Sequence, residues 1–188
     1  LGRLVGSEMC IRDSFYVVSN ADGAKNFKLS KTSENQTEKP FWRDVIPHRS
    51  DVLLEGIDIF KDFLVISERK NGLNQIKITR WDGTDQYYLP FESETYTAYT
   101  TTNIDFDTNF LRYGYQSMTT PSSMIDFNMV TKEKTIMKEQ EVLGGKFNKE
   151  NYVSERLWAT ATDGTKIPIS IVKHKDTPKH SKTPLLLY

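Results

Sequence analysis

Phe63-Leu64-Val65-Ile66-Ser67-Glu68 begins with four apolar residues in a row. The run is too short for a helix and too apolar for a strand that wets one face, so it predicts a central strand covered on both sides. Two further strings share its shape. Phe15-Tyr16-Val17-Val18-Ser19-Asn20 starts 48 residues earlier and Phe110-Leu111-Arg112-Tyr113-Gly114-Tyr115 starts 47 residues later. Each string leads into turn residues, namely Ala21-Asp22-Gly23, Lys70-Asn71-Gly72 and Met118-Thr119-Thr120-Pro121, and then into a return strand at 26–30, 75–81 and 123–129. Asp-Gly and Asn-Gly supply the positive φ angles that tight hairpins need. Ile57-Asp58-Ile59 and Ile104-Asp105-Phe106, again 47 residues apart, are predicted as the innermost strands of their units. The matching register before Phe15 is Met9-Cys10-Ile11, where the acidic residue is lost.

A period near 47 residues built from about four short strands predicts β-propeller blades rather than a helical solenoid. Three blades fit between residues 15 and 147. In the second, Trp81-Asp82-Gly83-Thr84 turns the chain into an outer strand at 86–91; in the third, 132–140 is the outer strand and Gly144-Gly145 leads into a linker at 146–150. Blades bury their faces against neighbours, so three of them leave two faces open. Residues 1–14, LGRLVGSEMCIRDS, fit neither pattern and are read as foreign or disordered. From about residue 148 a new unit begins. Residues 152–162 and 166–173 form a predicted hairpin reversing at Asp163-Gly164, with Pro168 placing its strand at an edge or a bulge. Pro184-Leu185-Leu186-Leu187-Tyr188 reads as a strand buried on both faces, and a buried strand at the last residue makes the chain a piece of a longer protein.

The 25 basic and 25 acidic residues cancel, which gives no support for a nucleic-acid or anionic-membrane partner. No apolar run approaches the ~20 residues that span a bilayer. The single cysteine, Cys10, leaves no internal disulfide and no CxxC metal site. No G-x-S-x-G elbow, phosphate loop, HExxH or EF-hand string is present. His174 and His180, in KHKDTPKHSK, belong to a solvated basic loop rather than a metal site, because no carboxylate or cysteine cluster accompanies them. His48 is read as a turn residue, Trp42 and Trp81 as packing residues, and Asn35-Gln36-Thr37 as a sequon without consequence. Neither a cofactor nor a metal is expected.

Several segments resemble the prolyl oligopeptidase family of serine peptidases, and within it the oligopeptidase B group. They are Trp42-Arg43-Asp44-Val45-Ile46-Pro47-His48-Arg49, Val52-Leu53-Leu54-Glu55, Thr120-Pro121-Ser122-Ser123, Lys138-Glu139-Gln140-Glu141-Val142, and Ser154-Glu155-Arg156-Leu157-Trp158-Ala159-Thr160-Ala161 followed by Asp163-Gly164. The resemblance runs from Trp42 to Tyr188. It implies a seven-bladed propeller over an α/β-hydrolase domain, with residues 15–147 as the last blades and 148–188 as the first, truncated strands of the peptidase domain. It also implies a Ser nucleophile, an Asp and a His in that chain order, all expected beyond Tyr188. Tyr188 matches the first Tyr of a Tyr-Gly-Tyr-Gly run whose second Tyr serves the oxyanion hole, so no catalytic residue is assigned to these positions. The implied substrates are short peptides cleaved after Arg or Lys, with the propeller limiting their size. A prolyl-specific member and a propeller that only binds a partner are the alternatives. The compartment is left open, with cytoplasmic preferred to periplasmic.

Overall fold

The computed structural model describes residues 3–4, 14–145, 147–178, 180 and 182–187. It is all-β, with three single-turn 3-10 segments and no α-helix among the described residues. The first blade contains β1 (Arg3–Leu4), β2 (Ser14–Ser19), β3 (Lys28–Ser33) and β4 (Arg43–Ile46). The second contains β5 (Val52–Ile59), β6 (Phe63–Lys70), β7 (Leu73–Arg80) and β8 (Tyr87–Tyr88), and the third β9 (Tyr96–Thr100), β10 (Phe110–Ser117), β11 (Ser123–Asn128) and β12 (Lys134–Glu139). Each blade is a four-stranded antiparallel meander. A separate two-stranded hairpin follows, β13 (Tyr152–Thr160) with β14 (Lys166–His174).

The apolar run in β6 behaves as its composition requires, since Phe63, Leu64, Val65 and Ile66 are all buried. Alternate side chains of a strand point to opposite faces, and here they divide between two cores. Phe63 and Val65 pack with Ile76 and Ile78 of β7 and with Leu111, Tyr113 and Phe127 of the third blade. Leu64 and Ile66 pack with Ile57 and Ile59 of β5 and with Tyr16, Val18 and Leu29 of the first. The β6–β7 connection is the predicted two-residue turn, with Asn71 at φ 52° and Gly72 at φ 76°. Both angles are left-handed, the combination that matches the strand twist and favours Asn-Gly.

Several sequence expectations are corrected. Tyr16 and Val18 face the second blade just as Phe63 and Val65 face the third. The structural repeat is therefore 47 residues on both sides, and Tyr16, not Phe15, corresponds to Phe63. Ile104 and Phe106 are not in a strand; they lie in the loop between β9 and β10 and are exposed. β9 ends at Thr100 because the Asn103 side chain takes over the pairing, donating to the Arg112 carbonyl at 3.1 Å and accepting the Arg112 N–H at 2.8 Å. The outer strand expected over 86–91 shrinks to Tyr87–Tyr88 plus one further bond from the Leu89 N–H to the Ile76 carbonyl at 2.9 Å. Pro90, with no N–H, cannot extend it.

Of the segment read as foreign, Arg3 and Leu4 pair with Val18 and Val17 of β2 and occupy the first-strand position of their blade. Met9-Cys10-Ile11 lies outside the described residues. The hairpin turn differs in detail from expectation. Gly164 alone has positive φ, 85°, while the Asp163 carboxylate accepts the Thr165 N–H at 2.9 Å. Pro168 sits opposite Trp158 in a sheet of two strands, where both outer edges are free of a third. Residues 184–187 form no strand, and Leu185, Leu186 and Leu187 are exposed.

Candidate functional site at the propeller–hairpin junction

The residues singled out in the sequence do not converge. His48 is exposed in the connection between β4 and β5. His174 ends β14 with its ring edge-on to Tyr152 at 5.4 Å and its Nδ1 3.6 Å from an Asp176 carboxylate oxygen. His180 lies in the following loop. No group of His, Cys, Asp and Glu able to hold a metal occurs among the described residues. Trp81 packs on Tyr16 at 5.2 Å and donates to the Phe60 carbonyl at 2.9 Å, while Trp42 donates to the Thr37 carbonyl at 2.9 Å, so both are structural.

What the fold does bring together is a cleft of about 680 Å³ where the third blade meets the 3-10 turn Lys149–Asn151 and the start of β13. That volume lies in the range of small-ligand sites. Its floor is aromatic: Phe91 stacks on Tyr115 at 5.5 Å and Tyr113 meets Phe91 edge-on at 6.1 Å, while Tyr96 packs tilted against Phe91 at 4.5 Å. Burial pushes the Tyr113 hydroxyl up to about 12, so it stays protonated at neutral pH. The rim carries Glu92, Glu94, Glu139 and Glu150 against Lys134 and Lys149. Such a cleft can bind and exclude water; no histidine or cysteine is among its described lining residues, and the Ser123 hydroxyl on its wall donates to the Pro121 carbonyl at 2.9 Å and to the Glu139 carboxylate at 3.4 Å.

The hairpin reaches the propeller through polar contacts. The Ser93 and Ser154 hydroxyls lie 3.1 Å apart, the Arg156 N–H donates to the Glu94 carboxylate at 3.1 Å, and the Arg156 guanidinium donates to the Asn71 carbonyl in the β6–β7 turn. Arg156 follows Glu155 on a strand of mixed polarity, so no local sequence pattern distinguishes it as the contact residue.

A second feature lies on the inner strands. Burial raises the Asp58 carboxyl above the ordinary carboxylate range, and a hydrogen bond from the Thr100 hydroxyl at the end of β9 opposes the shift only in part. A carboxyl that binds protons more tightly when folded loses stability as pH rises from the ordinary carboxylate pKa to the raised one. Asp58→Asn is therefore expected to raise the thermal midpoint at neutral pH, and the advantage to vanish below pH about 4, where both states of Asp58 are protonated. Scanning calorimetry of both proteins at the two pH values checks it; an asparagine variant less stable at neutral pH would contradict it.

Comparison with known proteins identifies the architecture. The model of the prolyl oligopeptidase N-terminal β-propeller domain matches residues 6–140. The chain belongs to the prolyl oligopeptidase family. Among relatives of this family, the dipeptidyl aminopeptidase BI of Pseudoxanthomonas mexicana is 39% identical over 94% of the chain, and the protease 2 of Moraxella lacunata is 29% identical over 94%. The solved oligopeptidase B of Trypanosoma brucei superposes with a TM-score of 0.78 and 31% identity over 95% of the chain. The chain spans about a quarter of the length of each, 24%, 25% and 25% respectively. The three sheets are accordingly blades of a prolyl oligopeptidase propeller, and the relatives are peptidases.

Proposed function

We propose that residues 15–147 are the last blades of a size-limiting propeller in a serine peptidase acting on short peptides, and that 148–188 begin its α/β-hydrolase domain. The observation that supports this reading is the family match running across the blades, with the relatives' similarity continuing into the β13–β14 hairpin. The exposed face of that hairpin, with Leu157, Ile167 and Ile169 between 39% and 47% exposed, suits a scaffold that more sheet would cover. Nucleophile, base and oxyanion tyrosine fall beyond Tyr188 in this reading, so the 188-residue chain by itself is expected to release no product from a chromogenic peptide. Inhibitor-sensitive hydrolysis by a pure preparation would contradict that.

For the full-length protein the primary reading is cleavage after Arg or Lys, by likeness to the oligopeptidase B group. A desolvated carboxylate that receives a basic side chain discriminates strongly, because an uncharged residue leaves it unpaired. The 39% identity to a dipeptidyl aminopeptidase favours a second reading, release of dipeptides from a free amino terminus. The deciding measurement is kcat/KM for matched substrates bearing Arg, Lys or Pro before the scissile bond, each with a free or a blocked amino terminus. Preference for Arg and Lys regardless of blocking supports the first reading. Loss of activity on blocking supports the second, and preference for Pro places the protein with the prolyl-specific members.

A further inference from the structure

Every residue of β13 and β14 remains exposed or half-exposed, and none joins either blade core. A two-stranded hairpin of this kind is marginal in water unless something holds it. The contacts that hold it centre on one residue. The Arg156 main-chain N–H is bonded to Glu94 in the connection between the second and third blades, and its guanidinium is bonded to the Asn71 carbonyl in the β6–β7 turn. The guanidinium carbon also lies 5.1 Å from the centre of the Trp158 ring, two residues along the same strand face. Its Nε is buried without a hydrogen-bond partner among the described residues, so the side chain is committed to this seat at a cost. The seat itself is shaped for it: a Cβ at Gly72 would stand 3.2 Å from the guanidinium Nη2 and 3.5 Å from Pro168 of the partner strand.

We propose that Arg156 is the pin that docks the β13–β14 hairpin onto the propeller, so that the order of the hairpin depends on the seat formed by Asn71 and Gly72 of the second blade. The dependence follows from the imbalance of contacts. No hairpin residue is fully buried or belongs to either blade core, so the apolar burial that makes the blades hold one another contributes little here, and the charge-assisted hydrogen bond of the guanidinium is the strongest side-chain tie from hairpin to propeller. The inference concerns the hairpin's attachment and stands apart from the peptidase reading.

Hydrogen exchange of the 188-residue chain, followed peptide by peptide for Arg156→Ala and Arg156→Lys, tests it. Loss of a charged hydrogen bond predicts hairpin amides at 152–160 and 166–174 exchanging on the order of tenfold faster in Arg156→Ala, with β6 and β7 unchanged. Lysine keeps the charge without the fork and should restore part of the protection. Unchanged hairpin exchange in Arg156→Ala would overturn the proposal. So would equal acceleration in the hairpin and in β6, because Arg156 would then serve the stability of the blades and not the docking of the hairpin.

Discussion

Glu68→Ala is expected to lower the folding stability by about 3 kcal/mol, although it removes a single side chain from the end of a strand. Glu68 is 1% exposed and lies on the face of β6 that looks toward the first blade. One carboxylate oxygen pairs with the Arg49 guanidinium from the β4–β5 connection, and the other accepts the Tyr88 hydroxyl of β8 at 2.9 Å. Taking the acid away leaves Arg49 at 30% side-chain exposure with its charge uncompensated, and removes the carboxylate acceptor of the Tyr88 hydroxyl. The residual access of Arg49 to water is why the lower end of the range for broken buried pairs applies. Urea titration at constant m-value measures the effect. The paired variant Arg49→Met with Glu68→Leu should recover part of the loss, since it removes both charges together. A drop below about 1 kcal/mol for Glu68→Ala would put the pair in the class of exposed ion pairs instead.

Truncating Phe63 to alanine should cost about 3–5 kcal/mol, as for other fully buried phenylalanines. Its ring is 0% exposed in the wedge between the second and third blades, beneath the Arg80 guanidinium at 4.6 Å. The same change at Phe110, its counterpart 47 residues on, should cost well under 1 kcal/mol, because Phe110 is 51% exposed. The comparison is internal to one protein and reads the same substitution at the same place in the repeat. Equal costs at the two positions would mean that the onward face of the third blade is covered in solution by something as apolar as a blade.

That pair of residues shows where the sequence stops informing. The run Phe63-Leu64-Val65-Ile66 announces burial on both faces, and the repeat places three blades in order, because alternation and turn chemistry are local properties of the chain. The Asn71-Gly72 turn follows for the same reason, since only residues tolerant of positive φ fit there. In the third blade the onward position of Val65 is occupied by Arg112, which is paired to Asp126 at 2.6 and 2.7 Å. Its polarity is in the string, but whether it marks an open face or a buried ion pair is not.

Blade count, a period within one residue of 47 and the position of the hairpin were thus determined by the sequence alone. Which face of each strand meets which neighbour was decided by the tertiary structure. A shift of one residue turns every side chain to the opposite face, and the register comes from pairing across connections of unequal length: two residues between β6 and β7, and eight, residues 20 to 27, between β2 and β3. The strings alone align Phe15 with Phe63, whereas packing puts Tyr16 and Val18 against the second blade. The seat of Arg156 is likewise tertiary, because its acceptor is a backbone carbonyl 85 residues away, a group every residue carries and no sequence pattern distinguishes.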